Sequence, residues 1–186
     1  MKCTKTKPIK LILVLALTLS LISGCVKPEP VVQESIELDP VKQELLNDIN
    51  SLAEINDFEG LSVSAYWVSI HSRFRAPLNI NDLIRFDRGG FHLEGNEVKG
   101  KLELFSQIEM NDIQLARLGN FENARYYLVI ESDKDGKLFE LLLFNGWSNM
   151  SINGVEIKPS KKILDAIYPL LTPGARYELR KYSKWF

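Results

Sequence analysis

The side chains with the most chemistry to offer in this chain of 186 residues are two histidines, two cysteines and a run of arginines. His92-Leu93-Glu94 sets an imidazole and a carboxylate two residues apart, so an extended backbone points both to one side. That is the minimum start of a metal site. Zinc wants three or four ligands, and with both cysteines in the N-terminal segment these two fall short, so no metal and no cofactor is expected. His71 stands just before Arg73 and Arg75, whose charges oppose a cation there. Arg73, Arg75, Arg85 and Arg88 gather around Asp82 and Asp87. Guanidinium forks match carboxylate and phosphate oxygens, which makes these four candidate anion- or ligand-binding residues. The alternative is a set of solvated ion pairs with the two aspartates.

Aromatic residues form the other candidate group. Trp147 lies beside Asn145-Gly146, and Tyr177, Tyr182, Trp185 and Phe186 crowd the C-terminus. Exposed aromatics anchor partners, so Trp147, Trp185 and Phe186 are candidate interaction residues, unless they complete a core or cover a sheet edge. No catalytic residue is assigned. No serine lies in a Gly-x-Ser-x-Gly elbow or a Ser-x-x-Lys setting, and no phosphate-loop or dinucleotide glycine pattern occurs. Asp133-Lys134-Asp135-Gly136 opens like a calcium loop but lacks the later glutamate, and a hairpin turn accounts for it better. Carboxylates such as Glu94, Glu103, Glu131 and Glu140 could still meet in space without leaving a local motif.

The N-terminus carries a different kind of signal. Lys2, Lys5, Lys7 and Lys10 precede an uncharged apolar run from Leu11 to Val26, with Ser23-Gly24 supplying small side chains just before Cys25. This is the pattern of a secretory signal. The competing reading, a membrane-spanning helix, wants about 20 apolar residues, and here Pro28 and Pro30 cut the run off. Leu21-Ile22-Ser23-Gly24-Cys25 resembles a bacterial lipobox. The resemblance covers residues 1–25 only. It implies that Cys25 receives a diacylglyceryl group, that residues 1–24 are removed, and that the protein is held outside the cytoplasm by its acyl chains. Lasting attachment takes more than one chain at about 0.8 kcal/mol per buried methylene. Val26 stands where an aspartate often retains such proteins in the inner membrane. The resemblance therefore implies the outer membrane of a two-membrane cell, or the outer leaflet of the cytoplasmic membrane in a one-membrane cell.

Cleavage would discard Cys3 and acylate Cys25, leaving a mature chain with neither a free thiol nor a disulfide. Residues 1–24 hold four lysines and no acid, so their loss takes the formal charge from −1 to −5. A mildly acidic domain argues against a nucleic-acid partner.

Several elements must position these candidates. Residues 25–38, with Pro28, Glu29, Pro30 and Glu34, read as a stiff polar tether, and residues 39–186 as one domain. Asp39-Pro40 opens a helix whose stripe is Val41, Leu45, Ile49, Leu52 and Ala53. Leu61 to Ile70 alternates as a strand, and Asn79 to Phe86 reads as a short helix. Phe91–Glu94 and Glu97–Phe105 are expected as strands around Gly95-Asn96, and Asn111–Leu118 has a weak helical preference. Tyr126–Glu131 and Leu138–Phe144 form a hairpin across Asp133–Gly136. Asn149–Ile157 adds a short pair turning at Asn153-Gly154. Ser160 caps a helix that Pro169 must shorten, and Tyr177–Phe186 is expected to be a final edge strand.

No strand alternates with a long helix, so a doubly wound parallel sheet is excluded. The expected fold class is α+β, a mainly antiparallel sheet with helices packed on one face in a single domain. The expected function is a non-catalytic binding or accessory module of the cell envelope, anchored to the membrane by lipid and taking an envelope protein or small ligand as partner. The alternative is an envelope hydrolase with a dispersed carboxylate site.

Overall fold

Asp39 and Pro40 begin the first helix by the two devices that suit a helix start. The Asp39 carboxylate accepts from the Val41 N–H at 3.1 Å, and Pro40 occupies a position whose missing N–H costs nothing. Helix α1 spans Pro40–Ser51, runs into a 3₁₀ turn at Leu52–Glu54, and buries Leu45, Ile49 and Leu52 while Val41 stays exposed. In the computed structural model the described residues are 39–87, 89–116, 123–144, 147 and 149–185. The chain divides into two units, Met1–Glu37 and Leu38–Phe186, and these residues belong to the second.

Among the described residues, seven strands build one antiparallel sheet in the order β2-β1-β4-β5-β6-β7-β3. They are β1 (Leu61–Trp67), β2 (Phe91–Glu94), β3 (Gln114–Leu115), β4 (Ala124–Ser132), β5 (Gly136–Phe144), β6 (Met150–Ile152) and β7 (Val155–Lys158). Helix α2 (Ile80–Phe86) lies between β1 and β2 in sequence, while α3 (Lys161–Ile167) and α4 (Pro173–Tyr182) end the chain. The α+β expectation holds.

Period-two alternation divides the sheet's side chains. Leu61, Val63 and Ala65 of β1 join Tyr126, Leu128 and Ile130 of β4 and Phe139, Leu141 and Leu143 of β5 in the main core, under α1, α3 and α4. Tyr127, Val129 and Phe144 turn to the other face and form a second, smaller cluster with Leu78 and with Leu83 of α2. That second cover explains why β4 is buried without a break from Ala124 to Ile130. Most helices therefore share one face, and α2 alone caps part of the other.

Both hairpin turns follow their residues. At Asn153-Gly154 both residues take positive φ, +48° and +80°, as a two-residue turn that matches the strand twist requires. Asn153 also clamps the hairpin. Its Oδ1 accepts from the Glu140 N–H at 2.9 Å and its Nδ2 donates to Asp48 of α1 at 3.0 Å.

Three expectations fail. Residues 97–105 are not a strand. They form successive tight turns, because Val98, Leu102, Phe105 and Ile108 recur at helical rather than alternating spacing and all four are buried. Residues 111–116 form no α-helix either: a 3₁₀ turn at Met110–Asp112 leads into the two-residue β3, and residues 117–118 lie outside the described residues. The C-terminus is α4 instead of an edge strand. Thr172 accepts from the Ala175 N–H at 3.2 Å as its cap, Pro173 starts it, and Ala175, Glu178 and Leu179 face inward at helical spacing. Pro169 does end α3 early, with a 3₁₀ turn at Tyr168–Leu170.

Candidate functional site

The exit of β1 is where the arginine candidates are sorted. Arg73 and Arg85 line one cavity of about 670 Å³ together with Trp67, Phe74, Phe86 and Asp87. Arg75 is exposed and does not line it, and Arg88 lies outside the described residues. The rings of Phe74 and Phe86 meet at 5.5 Å between centroids with a 40° tilt. A guanidinium rides on each of them: Arg85 stands 5.5 Å from the Phe86 centroid and Arg125 5.5 Å from that of Phe74.

The nearby acids do not neutralise these arginines. Asp87 accepts from the Trp67 N–H at 2.9 Å and the Gly90 N–H at 3.0 Å, so its carboxylate ties the strand exit to the loop before β2. A Cβ at Gly90 would lie 2.3 Å from the Ala65 carbonyl oxygen, which is why this close loop needs glycine. Asp82 is held in a reciprocal cap with Asn79. Among the described residues no ion pair joins Arg73, Arg75 or Arg85 to an acid.

Arg125, on β4 behind the cavity, is only 5% exposed. It donates to the Ser69 carbonyl at 3.3 Å. Burial pulls its guanidinium below its ordinary pKa, and the charge of Glu178 opposes that pull. Two buried N–H groups here lack any hydrogen-bond partner, the Nε of Arg125 and the Nε1 of Trp67. Buried donors are rarely left unpaired. The cavity itself is lined by the guanidiniums of Arg73 and Arg85, neither of them ion-paired among the described residues, and by the carboxylate of Asp87.

A second polar region lies at the opposite end of β1. Register pairs Ser64 with His92 across β1 and β2. Ser64 Oγ is 2.9 Å from His92 Nδ1, and His92 Nε2 is 2.9 Å from Glu94 Oε1. The ionised carboxylate only accepts, so a neutral imidazole carries its proton on Nε2 and takes the serine hydroxyl proton at Nδ1. His92 and Glu94 border an open groove of about 990 Å³ with Asp57, Glu59 and Asp133. The side chains of His92 and Glu94 are 52% and 75% exposed, so water weakens any electrostatic work they do. Glu94 and Glu131 both register with Ser62, on a row across β2, β1 and β4. Glu140 is occupied by the Tyr127 hydroxyl at 3.2 Å and Lys137 at 2.8 Å, and Glu103 lies elsewhere, at the start of a 3₁₀ turn. Among the described residues no group of three or more His, Cys, Asp or Glu side chains is placed to hold a metal ion.

Among the described residues neither candidate tryptophan stands exposed. Trp147 is 2% exposed, in a left-handed conformation at φ +56°, and belongs to the main core; it offers no surface to a partner. Trp185 is half-buried against that core and shares with Trp147 a small cavity of about 250 Å³. Phe186 lies outside the described residues, as do Cys25 and the tether. Tyr182 serves the loop after β1, its hydroxyl 2.9 Å from His71 Nε2.

Sequence reasoning missed Trp67, Phe74, Phe86, Arg125 and Ser64. Phe74 and Phe86 are sequence neighbours of the flagged arginines, and the pairs Arg73-Phe74 and Arg85-Phe86 were the available signal, whereas Trp67 lies upstream on β1. Arg125 and Ser64 arrive by cross-strand register, which no local pattern encodes. Comparison with known proteins finds no match: no family model fits the chain, and neither a curated protein nor a solved structure is significantly similar to it. Among the described residues no helix is long and apolar enough to cross a membrane.

Proposed function

We propose that this protein is an extracytoplasmic, lipid-anchored binding module of the cell envelope whose β1-exit cavity takes a small anionic ligand. The anchor rests on the lipobox-like segment ending at Cys25. The binding role rests on one observation above all: Arg73 and Arg85 line a common cavity while the neighbouring Asp82 and Asp87 are already committed to backbone N–H groups. The ion-pair alternative finds no support among the described residues, where neither aspartate pairs with an arginine. Two exposed guanidiniums on one cavity, neither joined to an acid, favour a ligand with acceptor oxygens.

The two halves of this reading are tested separately. Cys25→Ser should leave the protein soluble or unprocessed when cells are fractionated and the product is weighed by mass spectrometry; a membrane-bound chain of unchanged mature mass would refute the anchor. For the cavity, the full chain is exposed to envelope extract and its bound small molecules are released by denaturation. A compound retained by wild type and lost from Arg73→Ala/Arg85→Ala supports the module, and identical profiles refute it.

A second reading, hydrolysis, is favoured by the hydrogen-bonded order Ser64–His92–Glu94 beside an acid-lined groove. It ranks lower because the imidazole and carboxylate are open to water, where preorganised electrostatics are weakest. Turnover of an activated ester that disappears in Ser64→Ala would raise it above the binding reading.

A further inference from the structure

The cavity's walls say more about its occupant than its charge does. We infer that the ligand is a flat aromatic acid, its ring laid against the partly exposed rings of Phe74 and Phe86 and its carboxylate or phosphate head held by Arg73 and Arg85; this rests on the binding reading above. Three aromatic residues line the cavity, Trp67, Phe74 and Phe86, and the two phenylalanines remain more than a third exposed. Large apolar side chains left in water at a concave site gain by being covered. The volume of about 670 Å³ suits a small organic molecule and far exceeds what an inorganic anion needs.

Geometry favours a planar body. Phe74 and Phe86 already make a tilted pair at 5.5 Å, and aromatic rings prefer offset or tilted neighbours at such spacings. Each of these rings also carries a guanidinium at 5.5 Å, Arg125 over Phe74 and Arg85 over Phe86, so positive charge and ring faces come interleaved. A ligand with an anionic head on a flat ring meets both at once. A cationic ligand would bring like charge against Arg73 and Arg85, a neutral one would leave both without a counter-charge, and the Asp87 carboxylate in the same lining is turned to the Trp67, Gly89 and Gly90 N–H groups.

The test is calorimetric titration of the full chain in a non-ionic detergent, with the variants in the same detergent as background. The probes are benzoate, phenyl phosphate, inorganic phosphate, benzyl alcohol and benzylamine. Benzoate or phenyl phosphate should bind, which distinguishes the two head groups, and inorganic phosphate should bind at least about tenfold more weakly than the better of them. Benzyl alcohol and benzylamine should show no binding. Arg73→Ala and Arg85→Ala should each cost about tenfold, the size of one charge-assisted hydrogen bond. Arg75→Ala, outside the cavity, should change nothing.

Equal affinity for inorganic and phenyl phosphate would overturn the aromatic part, and equal affinity for benzyl alcohol the anionic part. Binding untouched by the two arginine variants would overturn the location. If only a neutral probe binds and Phe74→Ala abolishes it, the aromatic-acid ligand falls while the cavity remains a ligand seat. If no probe binds, both fall.

Discussion

Ser69 donates its hydroxyl proton to Glu178 Oε1 across 2.5 Å, joining the loop after β1 to the inner face of α4. The other carboxylate oxygen takes the Ile70 N–H at 3.2 Å. Glu178 is only 3% exposed, and no ion pair reaches it among the described residues, yet the charge of Arg125 acts on the same neighbourhood. One carboxylate thus holds the loop that carries Ser69, Ser72 and Arg73 to the cavity wall. Removing it leaves a half-buried hydroxyl and amide without this acceptor, and Arg125 without its opposing charge.

Glu178→Ala should therefore lower stability by about 3 kcal/mol, and Glu178→Gln by about 1 kcal/mol because the amide oxygen still accepts. Urea unfolding at constant slope measures both. A change below a few tenths in the alanine variant would show that the clamp is idle.

Gly174 offers a test in which two effects have opposite signs. In the first turn of α4, alanine has the better helix propensity, by up to about 1 kcal/mol. A Cβ there would fall 2.4 Å from the Trp67 ring, which has the cavity on its other side. The contact should win, so Gly174→Ala should destabilise by about 1–3 kcal/mol and shift the tryptophan emission. Stabilisation of the variant would show that Trp67 has room to move.

Tyr126 and Tyr127 set an alkaline limit. Burial pushes the Tyr126 phenol far above its ordinary value, with Arg176 opposing, and its hydroxyl donates to the Leu170 carbonyl at 2.5 Å. Burial first, then the charge of Glu140, raises Tyr127 as well. A folded-state pKa above the unfolded one near 10 means stability that is complete below pH 10 and lost as pH rises toward the raised values. Of the six tyrosines, these two should therefore ionise only as the protein unfolds, seen as delayed absorbance at 295 nm. Tyr127→Phe should shallow the decline of stability above pH 10. An unchanged slope would place the cause elsewhere.

Much of this architecture is written in local chemistry. Asp39-Pro40, Asn79, Ser160, Asp133–Gly136 and Asn153-Gly154 mark starts and turns by what their side chains and φ angles can do, and the strands between them alternate. Tyr177–Phe186 misleads because aromatic residues favour strands in general, whereas the Thr172-Pro173 start acts at one spot and decides α4. Trp147 takes the core-completing alternative. A turn neighbour reads as exposed, but a ring of that area is drawn into the core even where its Nε1 finds no acceptor. The arginines were legible as a group, but their division into two that line the cavity and one that does not depends on where α2 lies over the sheet. The partners of Ser64 and Arg125 depend on register alone.

The pairing of Leu61 with Ser132, at one end of the β1–β4 ladder, has a kinetic side. The β4–β5 hairpin can zip from its own short turn, whereas β1 must wait for a long stretch containing α2, β2 and β3 to close behind it. Ring closure of that size is an entropic toll taken before any long-range contact repays it, and topologies dominated by such contacts fold in milliseconds to seconds rather than microseconds. The newly made chain should thus pass through a stage with a finished hairpin and a vacant seat for β1. The cavity at the end of that strand would be the last part of the molecule to come into being.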